Sequence, residues 1–275
     1  MTPCPKVSCL MVTRDRTELS RMAIACFMRQ TYPNLELVVV DDGNSDYRSV
    51  LPTSSPGREV QYIKLDPGSR RTLGELRNLS LDVATGDWWI QWDDDEWFHP
   101  QRVALQLAAA QRDDADGSAL RWTLMHVGTG SLAGHVFRAD VGFATPGTIL
   151  HRRTDVRYPA LRAGEDSQFL SAVRREGRIA VLGREHAHLF IRCYHGANTW
   201  GENHFRKRLR RRLTDWPSYV AAGVWRRDLT THRSFRLTTD EAASASALLS
   251  DLADTQAPRT APMTSDQIEQ AGSAW

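Results

Sequence analysis

The feature that most constrains the fold is an alternation of apolar strands with helical segments through residues 1–115. Apolar, β-branched runs predict strands at 7–12, 35–40, 60–65 and 88–92, and helical spacing predicts helices at 18–30, 72–84 and 102–111. Strands that alternate with helices of roughly ten to fifteen residues form parallel sheets covered by helices on both faces. We therefore predict an α/β class with a Rossmann-like, mostly parallel sheet flanked by helices.

The rest of the chain predicts shorter strands and two charged extensions. Strands are expected at 120–127, 135–138, 148–153 and 188–193, with helices at 167–175 and from Thr239 to Ala253. Residues 203–236 contain ten basic and two acidic side chains, whereas residues 237–275 contain six acidic side chains and one arginine. We predict one large domain over 1–202, with halves 1–115 and 116–202, then a basic helical extension over 203–236 and an acidic helix with a flexible tail over 237–275.

Composition sets the class of protein. The 275 residues are 41% hydrophobic and 25% charged, which is typical of a globular chain. No apolar run approaches the roughly 18 residues that span a bilayer, and the first residues lack the pattern of a signal peptide. We therefore expect no transmembrane segment and a cytoplasmic location. The four cysteines show no metal or disulfide spacing and receive no role.

Polar residues directly after the predicted strands are the first candidates for a binding site. Ligands of open parallel sheets collect beyond the carboxyl ends of the strands. Three such places occur, namely Thr13-Arg14, the stretch 41–46 that begins Asp41-Asp42, and the acidic run 93–96. Consecutive carboxylates repel one another unless a cation lies among them, and oxygen ligands suit Mg²⁺ or Mn²⁺, which also bind substrate phosphates. A metal-diphosphate site is favoured over an acidic surface turn.

An ordered set of motifs makes the chain resemble the family 2 glycosyltransferases. The set comprises the segments 7–13 and 30–43, then Arg77-Asn78, 84–87 and 92–100. The resemblance covers residues 5 to 200 approximately and implies a GT-A type fold, a nucleotide-sugar donor and a divalent metal, Mn²⁺ or Mg²⁺.

The same resemblance implies roles on the donor side. Asp41 or Asp42 would hydrogen-bond the donor's base, with Thr13 and Arg14 nearby. Arg77 would lie close to the diphosphate or the sugar, although an exposed salt bridge on a helix is the alternative.

The acidic run would hold the metal. Asp93 and Asp95 would be the DxD carboxylates, with Asp95 as the direct metal ligand. Asp93 and Asp94 would also contact the donor. The family often has an aspartate where Glu96 stands, so Glu96 receives no role.

A general base is needed because an acceptor hydroxyl is a poor nucleophile until its proton is removed. Gly164-Glu165-Asp166 precedes a predicted helix and resembles the family's xED motif, in which the aspartate takes the proton. Asp166 is therefore the predicted base and Glu165 the neighbour that could replace it. The alternative is that Asp166 only stabilises the helix N-terminus.

A late histidine often joins the metal site in related transferases. His195 follows the last predicted strand and is the favoured metal ligand, and His186 and His188 are the other candidates.

The implied reaction is a direct displacement at the anomeric carbon with inversion. A glycoside hydrolase needs two carboxylates but no nucleotide site, and a nucleotidyltransferase needs a glycine-rich turn that Thr13-Arg14-Asp15-Arg16 lacks. The alternative function is a polyanion-binding protein on the same scaffold, because the run from Arg206 to Arg212 could contact nucleic acid or an anionic membrane. The acceptor is unknown, and a nucleic acid acceptor stays open.

Overall fold

The computed structural model describes residues 4–66, 70–198, 201–211 and 213–256. A seven-stranded sheet occupies the centre, with strand order β10-β6-β9-β4-β1-β2-β3. Its strands are β1 (Val7–Thr13), β2 (Leu35–Asp41), β3 (Arg58–Lys64), β4 (Trp88–Gln91), β6 (Gly117–Leu120), β9 (Leu150–Arg152) and β10 (Ile179–Leu182). All neighbours pair in parallel except at β9, which is antiparallel to both β4 and β6. The predicted α/β class with a mostly parallel sheet is confirmed.

The register of the sheet brings the predicted polar residues to one edge. Thr13 at the end of β1 lies opposite Asp41 at the end of β2, and Leu10 of β1 lies opposite Gln91 at the end of β4. Nearly every residue of β1 and β2 is buried, as expected for parallel strands that helices cover on both faces. Residues that follow β1, β2 and β4 therefore share the carboxyl edge of the sheet.

Helices cover both faces of this sheet. They are α1 (Thr17–Met28), α2 (Leu73–Val83), α3 (Arg102–Arg112) and α4 (Glu165–Glu176). Three further helices are α5 (Glu202–Lys207) and α6 (Trp216–Val220), which pack in a separate core through Phe205 and Tyr219, and α7 (Thr239–Gln256), which packs beside α1. Buried apolar residues of α1, α3 and α7 share one core, and those of α2 and α4 share another. Helix α2 begins with a capping box between Thr72 and Glu75.

A second sheet corrects one predicted strand. Its order is β5-β11-β7-β8, with β5 (Trp97–Phe98), β7 (Trp122–Val127), β8 (His135–Asp140) and β11 (Phe190–Tyr194). The strand predicted at 120–127 is corrected at its start, because the chain leaves the first sheet at Leu120 and enters the second at Trp122. Arg121 between them turns outward and pairs with Asp140 at 3.1 Å. Apolar periodicity continues across this change of sheet, so the sequence does not mark it.

The acidic helix α7 packs on the central domain. Ala245 and Leu248 enter the core beside α1, and Asp251 accepts hydrogen bonds from Arg29 and from the Trp97 indole N–H. The predicted cap is corrected by one residue, because Thr238 and Glu241 form the reciprocal bonds of a capping box.

Helix α7 runs to Gln256, three residues beyond the predicted end at Ala253. The rest of the predicted flexible tail, from 257 onward, lies outside the described residues, as does Arg212. Among the helices that the structure describes, none has the length and hydrophobicity of a transmembrane span.

Candidate functional site

The acidic run begins where β4 ends, beneath the end of β1. Asp94 is 4% exposed, and its Oδ2 accepts a 2.6 Å hydrogen bond from the Thr13 hydroxyl. Burial and the neighbouring charge of Asp95 raise the pKa of Asp94 to about 7. Thr13 therefore joins the two strand ends through Asp94 Oδ2, while Asp94 Oδ1 lies 3.5 Å from Arg16.

Asp95 has cationic and imidazole partners from distant parts of the chain. Arg16 Nη1 lies 3.1 Å and His195 Nε2 3.2 Å from Asp95 Oδ2. Burial alone would raise the pKa of Asp95, but the His195 hydrogen bond and the Arg16 charge outweigh burial and hold this pKa below its ordinary value. Asp95 and His195 therefore meet as the sequence predicted, while His186 contacts Glu185 and His188 packs against the ring of His99.

Arg77 connects the acidic run to the start of α4. It is a buried residue of α2, with Nη2 2.8 Å from Asp93 Oδ1 and Nε 3.1 Å from Glu165 Oε1. The alternative of an exposed helix salt bridge is wrong, because the guanidinium is buried and both of its partners lie on other elements. Gly74 permits this arrangement, since a Cβ there would collide with the Pro159 carbonyl of the loop that leads to α4.

The two carboxylates of the predicted xED motif face different surroundings. Gly164 precedes α4 with φ +80°, a conformation that favours glycine. Glu165 is 2% exposed and faces Arg77, and burial raises its pKa above the ordinary value. Asp166 is half-buried, accepts a 2.6 Å hydrogen bond from the Ser167 backbone N–H, and lines a cleft. The lining of this cleft also includes Arg16, Arg77, Asp93, Asp94, Asp95, Glu96, Glu165 and Arg192.

The remaining predicted donor residues lie one strand away at the same edge. Asp41 is fully buried and accepts hydrogen bonds from Lys64 Nζ at 2.8 Å, the Tyr62 hydroxyl at 2.7 Å and the Gly43 N–H at 2.8 Å. Asp42 lies 3.7 Å from Arg14, an exposed side chain. Neither aspartate lines the cleft with the acidic run. Asp41 thus supports the loop after β2.

Glu96, which the sequence left without a role, ties the acidic run to β11. Its Oε2 accepts a 2.5 Å hydrogen bond from the Cys193 N–H, and Arg192 lies 3.6 Å from its other oxygen. Burial and the charge of Asp95 raise the pKa of Glu96 well above its ordinary value. This link holds the strand that leads to His195 against the DxD segment.

Sequence reasoning missed Arg16 and Arg192 as members of the site. Arg16 follows β1 by three positions, so the strand-end rule that selected Thr13 and Arg14 could have reached it. Arg192 lies inside β11 and carries no local signal.

The basic run divides between two surfaces. Phe205 and Leu209 are buried, so the charged side chains point to either side of them. Arg208 and Arg211 line a cavity beside α4, whereas Arg206 and Arg210 line a separate cavity with Tyr219.

The side chains at the acidic run fit a hard divalent cation whose remaining ligands come from the substrate. In the described ranges no three His, Cys, Asp or Glu side chains form a group that could hold a metal alone. Asp95 and His195 lie side by side, with Oδ2 and Nε2 3.2 Å apart, and burial together with the charge of Asp95 raises the pKa of Asp94. Mg²⁺ and Mn²⁺ sites commonly combine one or two carboxylates with substrate phosphates.

Two curated proteins to which the chain is similar carry glycosyltransferase names. A putative colanic acid biosynthesis glycosyl transferase WcaA of Escherichia coli (strain K12) is 30% identical over 110 residues, which cover 39% of this chain and 39% of that protein. The amylovoran biosynthesis glycosyltransferase AmsB of Erwinia amylovora is 25% identical over 238 residues, which cover 77% of this chain and 76% of that protein. The chain thus spans well under half of the Escherichia coli relative.

The fold is shared with a solved transferase. The mannosyltransferase PcManGT from Pyrobaculum calidifontis, in complex with GDP-Man and Mn²⁺, superposes with a TM-score of 0.54 at 16% identity, over 99% of this chain and 81% of that one. This likeness confirms the GT-A type of the fold. The family model for glycosyl transferase family 2 matches residues 8–161, more than half of the 275 residues. The chain therefore belongs to glycosyl transferase family 2.

Proposed function

We propose that the chain transfers a sugar from a nucleotide-diphosphate donor to a hydroxyl group of an acceptor, with inversion at the anomeric carbon. The observation that carries the proposal is the double ion pair of Arg77 with Asp93 and Glu165. It joins the acidic run after β4 to the start of α4, so candidate donor and acceptor groups face one cleft. Family membership supports the reaction class.

Mn²⁺ or Mg²⁺ would be held by Asp95, with Asp93 and His195 as further ligands. When bound, such a cation neutralises charge on the departing nucleotide diphosphate. The Mn²⁺ in the mannosyltransferase complex and the oxygen-rich acidic run support this assignment.

The chain's own residues would divide the remaining work. Asp166 would take the proton of the acceptor hydroxyl, because it is a partly exposed carboxylate at the cleft, whereas Glu165 beside it is buried against Arg77. Glu165 would be a positioning residue that acts through Arg77, and Arg77 would lie close to the diphosphate or sugar. Thr13, Arg14, Asp41 and Asp42 would form the surroundings of the donor's base.

A panel of nucleoside diphosphates and nucleotide sugars tests the proposal. Thermal stability of the full chain is measured with each compound, with Mn²⁺ and with EDTA, and the stabilising donor is then tested for transfer. A ligand at 100 times its Kd adds about 2.7 kcal/mol to the free energy of unfolding. We expect stabilisation by one nucleotide class only with the metal. Absence of any nucleotide response would contradict the proposal.

The second function is polyanion binding on the same scaffold. The basic run on α5 and the turn Arg208–Arg210 favours it. Binding of nucleic acid or anionic vesicles that falls steeply with salt, without any donor turnover, would support that function instead.

A further inference from the structure

A second cavity adjoins the proposed catalytic cleft. It has a volume of about 320 Å³, roughly ten times the share of one water in the liquid. Arg192 lines both cavities, and Ser167, which lines the second, directly follows Asp166. A group bound there would therefore lie next to the proposed base.

The cavity is lined by four arginines with little internal compensation. They are Arg174, Arg192, Arg208 and Arg211. Within the described residues, no carboxylate forms an ion pair with Arg174, Arg208 or Arg211, and Arg192 has only the 3.6 Å approach to Glu96. Burial and the charges of Arg211 and Arg192 lower the pKa of Arg208 to about 10. Arg208 thus lies partly buried among like charges, which an anion in the cavity would offset.

The guanidinium groups are held in place by uncharged neighbours. Arg174 lies over the ring of Phe143, 3.4 Å from its centroid, and an Arg208 nitrogen lies 3.1 Å from His204 Nε2. Arg211 lies against Gly142, whose φ of +101° and missing side chain leave room for it. These contacts position the arginines without neutralising them.

Thr145 supplies an independent sign of a ligand. This residue lines the same cavity and is 4% exposed, and its Oγ1 is buried without a hydrogen-bond partner. Its backbone is firmly held, since its N–H donates to the Leu120 carbonyl at 2.7 Å and its carbonyl accepts from the Thr148 hydroxyl at 2.7 Å. Buried hydroxyls normally have a partner. Rotation of the side chain about χ1 would turn this hydroxyl toward an acceptor atom inside the cavity.

We propose that this cavity binds a phosphate group carried by the acceptor. Several guanidinium forks and one hydroxyl donor suit the oxygens of a phosphate, which accept charge-assisted hydrogen bonds from arginine in pairs. The inference rests on the proposed transfer reaction, since it places the acceptor's phosphate beside the group that would deprotonate its hydroxyl. The acceptor would thus be a phosphorylated compound, either water-soluble or lipid-linked.

Binding of inorganic phosphate to the full chain in EDTA provides the first test. The double variant Arg208→Ser/Arg211→Ser should weaken this binding at least about 10-fold, because hydrogen bonds to charged groups are lost. The matched control Arg206→Ser/Arg210→Ser removes equal charge from the other cavity and should change the Kd less than about 2-fold. Equal losses in both variants would show nonspecific attraction and overturn the site.

Thr145→Val separates binding from folding. The two side chains have similar shape, and the hydroxyl has no partner to lose in the free protein. We expect an unchanged or higher Tm together with phosphate binding that is weaker by about 3-fold or more, the loss of one modest hydrogen bond. Unchanged phosphate binding would contradict the part assigned to Thr145, even if the double arginine variant fails to fold.

Two further probes identify the source of the phosphate. Tighter binding of glycerol 1-phosphate than of inorganic phosphate supports a soluble acceptor, and tighter binding of farnesyl phosphate supports a lipid-linked one. In each case the gain must disappear in Arg208→Ser/Arg211→Ser. If neither ester binds better than sulfate, the phosphate site is refuted.

Asp95→Asn keeps the two proposals distinguishable. This variant should lose the metal-dependent nucleotide response and keep phosphate binding. Loss of the nucleotide response in the wild type as well would refute the transferase, whereas loss of phosphate binding alone would refute only this site.

Discussion

The carboxyl edge of the central sheet, where the donor is proposed to bind, and the basic cavity beside α4 differ in whether their charged side chains have partners of opposite charge. At the donor edge buried carboxylates have cationic partners within the protein, as with Asp41 and Lys64, Asp93 and Arg77, and Asp95 and Arg16. In the basic cavity the arginines are held by rings and by a glycine, and Arg208 and Arg211 have no carboxylate partner among the described residues. Where the protein balances its own charges, the site is assembled before a ligand binds. Where the arginines have no carboxylate partner, a bound anion would balance their charge.

Arg77→Met gives the largest effect that this comparison predicts. It leaves Glu165 and Asp93 without their cation, and breaking a buried pair from one side costs about 3 to 5 kcal/mol. Denaturant unfolding of Arg77→Met should show that loss of free energy. The control is Arg157→Met, because Arg157 pairs with Asp82 at 3.2 Å on the surface, where a pair contributes about 1 kcal/mol or less. Similar losses in the two variants would mean that Arg77 is not the organising cation.

Asp166→Asn tests whether the cleft carries the chemistry. Transfer should fall by roughly 10²-fold or more, the range for removal of a positioned base, while donor and metal binding stay nearly unchanged. Steady-state rates and nucleotide Kd values measure the two properties separately.

Glu165→Gln is the paired variant. Because Glu165 faces Arg77, its loss should be milder and should appear as altered donor affinity. Full turnover by Asp166→Asn with a dead Glu165→Gln would reverse the assignment of the base.

Asp95→Asn tests whether the compensated cluster holds a metal. At a nucleotide concentration of 100 times Kd, the variant should lose the metal-dependent part of about 2.7 kcal/mol of stabilisation. Thermal unfolding with and without Mn²⁺ measures it. The exposed Asp46→Asn serves as the control with an intact cluster. Equal nucleotide affinity in wild type and Asp95→Asn, with and without metal, would exclude Asp95 as the ligand.

The smallest expected effect is on donor affinity when arginines of the basic run are replaced. Arg208, Arg210 and Arg211 lie outside the lining of the cleft, so replacing all three by serine should change nucleotide-sugar affinity by less than about 0.5 kcal/mol. Titration of the donor in a folded variant provides the measurement. Loss of donor binding in this variant would show that the basic run and the cleft belong to one donor site.

The sequence predicted the donor half well because local patterns determine it. Apolar runs and helical spacing predict β1 to β4, and the position of polar residues after strand ends selects Thr13, Asp41 and Asp93. Asp95 and His195 meet as predicted, although their roles as metal ligands stay predictions.

Long-range contacts were beyond such patterns. Arg16 approaches Asp95 and Arg192 approaches Glu96 only through tertiary packing. The cavity beside α4 likewise combines Thr145 with Arg208 and Arg211, which lie more than sixty residues later in the chain. The change of sheet at Arg121 escaped detection because apolar residues continue on both sides of it.

The hydrogen bond from the Cys193 N–H to Glu96 also bears on the entropy of ligand binding. It joins residues 97 positions apart, and closing a flexible loop of that length costs on the order of 4 kcal/mol. Folding meets this cost before any ligand binds, because the bond and its surrounding strands are part of the native protein. A cation shared by Asp95 and His195 therefore does not have to gather two remote segments. The affinity of the protein for this cation can therefore reflect coordination chemistry alone. A chain cut between residues 96 and 193 should bind metal weakly unless the two fragments remain associated.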